Sequence, residues 1–154
     1  MTVSRIRRAT VSDRDELANL REALWPEDSA EEHGRELDAL LSTGMCGILP
    51  LAIFVSQEPS GRLNGFVEVG LRSHADGCDE SQPVGYVEGW FVAEGWRRQG
   101  IGGELVGAAE DWSRAQGCRE MASDALIDNT LSQHAHEKLG FIAGDRCVHF
   151  RKPL

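Results

Sequence analysis

The run Tyr86-Val87-Glu88-Gly89-Trp90-Phe91-Val92, leading into Arg97-Arg98-Gln99-Gly100-Ile101-Gly102-Gly103 and then Glu104 to Trp112, constrains this chain more than any other feature. Aromatic and β-branched residues fill its first part, the composition of a half-buried strand. Three glycines within four positions then let the backbone come close to a ligand. The helix they open presents N–H groups that have no partner inside the helix. Fixed donors at the positive end of a helix dipole make an anion site, suited to phosphate. Taken alone, such a turn is a weak signal, and a tight connection with no ligand is the better reading. The dinucleotide fingerprint G-x-G-x-x-G and the lysine of a P-loop are both absent.

The flanking sequence completes a mixed α/β order. Ser4–Ala9 reads as a first strand. The acids of Ser12–Glu16 open a helix through Leu17, Leu20, Arg21 and Leu24, and Trp25-Pro26 stops it, because a residue before proline avoids helical geometry. Ser29 with Glu32 forms a capping box for a second helix to about Leu41. Ile48–Val55 is an apolar strand, Pro59-Ser60-Gly61 a turn, and Leu63–Leu71 an alternating strand. Residues 72 to 84 form a polar loop longer than a hairpin needs, and long loops in compact domains are often functional. After the glycine-rich turn, a helix from Gly100 to about Gln116 stops at Gly117. Glu120–Asp124 reads as a short strand. Asp128 or Asn129 caps a helix to Leu139, Gly140 ends it, and Phe141–Arg151 supplies one or two last strands. The sheet should be antiparallel early and partly parallel later. A chain of 154 residues fits one domain, 1–154, with a core of its own.

The net charge of −9 argues against nucleic acid, which needs Lys and Arg to neutralise phosphates. It permits a cationic substrate, although for net charge by itself solubility alone is the better reading. No apolar run approaches the ~20 residues that span a bilayer, and Met1–Arg8 lacks the apolar region of a secretory signal. A cytoplasmic location without membrane attachment is the expectation. Cys46, Cys78, Cys118 and Cys147 show no CxxC spacing, so neither a metal site nor a disulfide framework is expected.

Arg97-x-x-Gly100-x-Gly102 after Phe91-Val92, with Leu139-Gly140-Phe141 downstream, resembles the signature of the GCN5-related N-acetyltransferases. The resemblance covers nearly the whole chain. It implies a mixed sheet of about six or seven strands flanked by about four helices. It also implies acetyl-CoA as co-substrate, with its pyrophosphate on Arg98, Gln99, Gly100, Ile101, Gly102 and Gly103 and its pantetheine arm along Trp90, Phe91 and Val92. Further blocks are similar to the aminoglycoside 6′-N-acetyltransferases: Leu24-Trp25-Pro26, Gly77-Cys78-Asp79, Glu88-Gly89, Gly117 to Asp124 and Asn129-Thr130-x-Ser132-Gln133. The stretch Arg119-Glu120-Met121-Ala122-Ser123-Asp124 discriminates best, since the fold does not demand its composition. This likeness implies Trp25, His74, Glu88, Asp124 and Asp145 as the substrate set and Asn129 as a cofactor contact. Relatives tend to carry an aromatic residue where this chain has His74.

The residue chemistry agrees with these assignments. An aminoglycoside carries several ammonium groups, which carboxylates bind through charge-assisted hydrogen bonds. An aromatic face such as Trp25 packs on a sugar or a cation, though Trp25 also suits an ordinary core. The amine must lose a proton before attack, and Glu88 beside the cofactor strand is the candidate base. Its plainer reading is a solvated strand residue. Asp124 is a second candidate catalytic acid, or a turn aspartate at a strand end, and Asp145 reads equally as a surface turn. Many relatives place a tyrosine five residues before the phenylalanine of the Leu-Gly-Phe marker, to protonate the departing thiolate. Here His136 stands there, either as the acid or as a helix-surface residue. Direct attack in a ternary complex suffices, with the Val92 N–H polarising the thioester carbonyl. Two alternatives remain open: an acetyltransferase for another amine (polyamine, lysine or protein N-terminus), and a non-catalytic acyl-CoA-binding module. The apolar run Cys147, Val148 and Phe150 suits either a core strand or a homodimer interface.

Overall fold

The computed structural model describes residues 4–154. Of the N-terminal reading, Met1–Val3 lie outside the described residues. The strands are β1 (Arg5–Arg8), β2 (Met45–Cys46), β3 (Leu49–Gln57), β4 (Leu63–Arg72), β5 (Val84–Val92) and β6 (Met121–Ser123). The α-helices are α1 (Arg14–Leu24), α2 (Ala30–Thr43), α3 (Ile101–Ala115) and α4 (Thr130–Lys138). The sheet order is β1-β3-β4-β5-β6, with β2 pairing β3. Every pairing is antiparallel except β5 with β6, which is parallel.

Local signals account for most boundaries. The capping box of α2 forms as expected: Ser29 N–H donates to Glu32 Oε2 at 2.8 Å, and Glu32 N–H donates to Ser29 Oγ at 3.3 Å. Gly117 and Gly140 follow α3 and α4 at φ of +87° and +90°, a conformation costly for other residues. The Asn129 side chain caps α4 by accepting from Ser132 N–H at 3.1 Å.

Helices α1 and α2 cover one face of the sheet, where Leu17, Leu37, Val55 and Phe66 form a buried cluster. Helix α3 covers the other face through Ile101, Leu105 and Ala109, packed on Val67, Val69 and Val87. This two-sided cover changes the reading of β4. Its sequence alternates, but its first eight residues are all buried, because helices lie on both faces.

The expectation of one or two strands over Phe141–Arg151 is not met. Residues 141 to 154 form no regular element, and Ile142, Val148, Phe150 and Leu154 are exposed. A strand exists only by pairing its backbone, and among the described residues no ladder reaches that segment.

Candidate functional site

Two features of β5 build the site. The first is a bulge. Glu68 of β4 faces Gly89 while Val69 faces Val87, so Glu88 opposes no residue. An extra residue bends the strand and re-aims its side chain. Glu88 therefore leaves the buried strand and stands part-exposed, with its side chain 32% accessible.

The second feature is a split in the sheet. Strands β5 and β6 pair only from Gly85↔Met121 to Val87↔Ser123, while β5 continues to Val92. Ala93 N–H donates to Asn64 O of β4 at 2.8 Å. Alternation then turns the backbone groups of Trp90 and Val92 away from β4, into the gap that β6 has left. The Val92 carbonyl faces that side, where it accepts from Arg97 Nε at 2.8 Å.

The glycine-rich turn lies beyond the same end of β5. Gly100 precedes α3 with φ of +86°, and no side chain caps the helix. Arg98, at φ of +62°, is the one non-glycine residue with positive φ among the described residues. Trp90 packs beneath Gly102, where an added Cβ would meet its ring at 3.0 Å, and its indole N–H donates to Gly102 O at 3.1 Å. Uncapped N–H groups at a helix N-terminus, with no side chain over them, suit the pyrophosphate of a nucleotide cofactor. Of the cofactor residues expected from the sequence, Trp90–Val92 and Arg98–Gly103 thus converge on one end of the split.

Across the gap, His136 of α4 meets both walls. Its Nδ1 lies 2.6 Å from Ser132 O, so Nδ1–H donates, and Nε2 faces Ser123 Oγ of β6 at 2.8 Å. Its ring packs edge-on against Trp90 and Phe141 at centroid distances of 5.3 and 5.2 Å. His136 is therefore neither a free acid nor an isolated helix-surface residue.

The carboxylates lie on the sheet face that α1 and α2 share, where Trp25 also packs. Arg72 donates to both carboxylate oxygens of Glu88, at 2.9 and 2.8 Å. Its guanidinium lies over the Tyr86 ring, 3.5 Å from the centroid. The Tyr86 hydroxyl donates to Asp124 Oδ2. Burial, reinforced by that bond to Asp124, pushes the Tyr86 hydroxyl well above its ordinary pKa, so it stays a neutral donor. Trp25 lies over the Gly89 backbone so closely that a Cβ there would meet its ring at 2.5 Å.

A buried layer supports Trp25. His33, 2% exposed, contacts Trp25 O through Nε2 at 3.0 Å. The Arg21 guanidinium lies 5.2 Å from the Trp25 ring centroid, and its Nε stands 3.0 Å from Glu68 Oε1. That contact has the distance of an ion pair, but the N–H does not point along it, and neither atom makes a hydrogen bond. Burial pushes the Glu68 carboxyl up to about 7, against the pull of Arg21.

The structure thus groups Trp25, Glu88 and Asp124 through Gly89, Arg72 and Tyr86. His74 sits two residues beyond Arg72 in the loop, beside a shallow depression of about 320 Å³ lined by Ser73, His74 and Glu80. Asp145 stands outside the cluster, in the exposed C-terminal segment. Asn129 has its side chain engaged as a helix cap. Sequence reasoning missed Arg72, Tyr86, Ser123 and Glu68 as members of the site. Only the polar residue Glu68 inside an apolar strand carried a signal. The four cysteines are free thiols, and burial raises both Cys78 and Cys118 above the ordinary thiol pKa, the opposite of an activated nucleophile. No group of three or more metal-ligating side chains is found among the described residues.

The profile of the Acetyltransferase (GNAT) family matches residues 14–141. An aminoglycoside N(6′)-acetyltransferase type 1 from Klebsiella aerogenes is 39% identical over 151 residues, covering 97% of this chain and 96% of the relative. A protein of the same name from Stenotrophomonas maltophilia is 38% identical, covering 97% of this chain and 93% of the relative. The solved structure of AAC(6′)-Iy in complex with the bisubstrate analog CoA-S-monomethyl-acetylneamine superposes with a TM-score of 0.88 at 33% identity, over 99% of each chain.

Proposed function

Since this chain belongs to the acetyltransferase (GNAT) family, we propose that it moves the acetyl group of acetyl-CoA onto the 6′-amine of aminoglycoside antibiotics. The observation that carries the acceptor is the carboxylate pair Glu88 and Asp124 beside Trp25, opening onto the split between β5 and β6. Amine capture and acyl donor then meet at one bulge. Resistance to the drug is the proposed consequence.

Glu88 binds the acceptor ammonium and takes its proton, directly or through water. The free amine attacks the thioester carbonyl, forming the C–N bond as the C–S bond breaks. The Val92 N–H, directed into the gap, stabilises the developing oxyanion. Asp124 holds a second ammonium, and the Trp25 face packs on the sugar. The departing thiolate takes a proton from solvent, or from the Nε2–H of His136 through the Ser123 hydroxyl when the ring is an imidazolium that keeps Nδ1–H on Ser132 O. Gly100–Gly103 hold the pyrophosphate, and Asn129 adds a contact to the cofactor. His74 and Asp145 complete the substrate set by likeness alone.

The deciding experiment is NMR of the kanamycin product, which identifies the acetylated nitrogen. Failure to turn over any 6′-amino aminoglycoside sinks this reading and favours another amine. Glu88→Gln separates enzyme from acyl-CoA-binding module: turnover is lost while CoA binding stays.

We further propose that residues 1–154 act as one domain in the cytoplasm, where acetyl-CoA is made. No helix among the described residues is long and apolar enough to cross a membrane. A second copy of the chain is proposed to cover Ile142, Val148 and Phe150, which a lone chain leaves exposed. Sedimentation of the full chain as a monomer at about micromolar concentration would refute the dimer.

A further inference from the structure

The acceptor side of the site already holds a cation, and that cation belongs to the chain itself. Arg72 closes β4 and reaches back over the sheet. Its guanidinium spans both oxygens of Glu88, lies 3.5 Å above the Tyr86 ring, and feels the charge of Asp124. A carboxylate, an aromatic face and a second carboxylate are what an incoming ammonium group needs. We propose that Arg72 is a displaceable placeholder, occupying the acceptor's cation site and swinging out before an amine can engage Glu88. This rests on the reading of Glu88 as the amine-binding carboxylate.

Three observations support it. Arg72 fills one acceptor site on each Glu88 oxygen and sets its own positive charge against the carboxylate, so an incoming ammonium meets a like charge there while Arg72 stays. The pair is part-exposed, with side chains 44% and 32% accessible, so water can take over its hydrogen bonds as Arg72 leaves. Room to move exists, because Arg72 ends its strand and the polar loop from Ser73 follows directly.

The arrangement favours polycations. A monoamine must displace Arg72 with one charge. An acceptor with several ammonium groups reaches Asp124 at the same time and is penalised less. Arg72 thus screens out ordinary cellular monoamines without blocking the proposed substrate.

The competing role is structural: Arg72 orients Glu88 for catalysis. The two roles predict opposite signs. Arg72→Gln and Arg72→Lys are compared with the wild type in steady-state kinetics on kanamycin and on a simple monoamine. As a placeholder, its loss in Arg72→Gln lowers the kanamycin KM by about three- to tenfold, leaves kcat within about twofold, and favours the monoamine even more. Arg72→Lys, which cannot span both oxygens, falls between. Guanidinium chloride at about 20 mM then refills the site and inhibits Arg72→Gln competitively against acceptor, with less effect on the wild type.

A raised or unchanged KM, a collapsed kcat, or restoration of activity by guanidinium overturns the proposal. Wild-type turnover of kanamycin is read first, and its absence counts against the proposed function instead. Calorimetric titration of kanamycin into both proteins still tests the placeholder in that case, and equal affinities overturn it.

Discussion

Replacing Glu68 by glutamine keeps the shape of a buried side chain and removes its proton equilibrium. Two effects compete over that proton. At 3.0 Å, an effective dielectric near 20 makes the attraction of Arg21 about 5 kcal/mol. Burying a carboxylate costs several kcal/mol, and here the carboxylate is 3% exposed with an N–H that does not point at it. Arg21 is also shared with Glu36, at 3.1 Å, and the negative charges of Glu36 and Glu88 further disfavour ionisation. Burial wins, raising the carboxyl from its ordinary 4.5 to about 7.

The folded protein therefore holds this proton more tightly than the unfolded chain does. The stability it contributes is fully present below pH 4.5 and is lost as pH rises through 7. The shift corresponds to about 3 kcal/mol. Glu68→Gln has no such slope. Urea unfolding of both proteins between about pH 4.5 and 8 should show the variant gaining on the wild type by up to about 3 kcal/mol, mostly before pH 7. Taking the difference cancels other groups that titrate alike in both proteins. A pH-independent difference, or a variant that loses ground as pH rises, would show that pairing with Arg21 outweighs burial and would refute the reasoning.

Other perturbations give separate checks. Gly100→Ala meets no neighbour but must hold φ of +86°, so denaturation should show a loss of about 1–2 kcal/mol, with weaker CoA binding by calorimetry. Gly85→Ala places a Cβ 2.1 Å from Ser113 Oγ, and forcing β5 away from α3 should cost about 1–3 kcal/mol in urea melts. Leu105→Ala empties a fully buried position beneath α3 and should cost about 2–5 kcal/mol. Raising salt from low ionic strength to about 0.3 M should raise the kanamycin KM several-fold and that of acetyl-CoA less, and an unchanged KM would count against capture by carboxylates.

Much of the fold was legible because its signals are local. The Ser29–Glu32 capping box, the Trp25-Pro26 stop and the glycines after α3 and α4 each act within a few residues, and each appears where expected. The glycine-rich turn and the uncapped N-terminus of α3 were legible for the same reason. Glu88 stood out as an acid in an aromatic strand, but the strand's periodicity says nothing of the bulge that frees it. The bulge arises from pairing with Glu68 and Val69, about twenty positions earlier. Arg72 carried no signal at all. It looked like the first residue of a polar loop, and only antiparallel register sets it over Tyr86 and against Glu88. The final strands failed for a related reason: their apolar residues are real, but a strand also needs a partner edge.

From its own residues, then, this chain determines a strand, a glycine-rich turn and a helix whose N-terminus attracts an anion. Steric freedom at glycine and the helix dipole are properties of neighbouring residues, so sequence suffices to read them. Tertiary structure alone decides that β6 diverges after Val87, that the carboxylates group beside Trp25, and that Arg72 covers one of them. Those facts depend on register, burial and charges far apart in sequence, and these are settled only when the sheet closes against its helices.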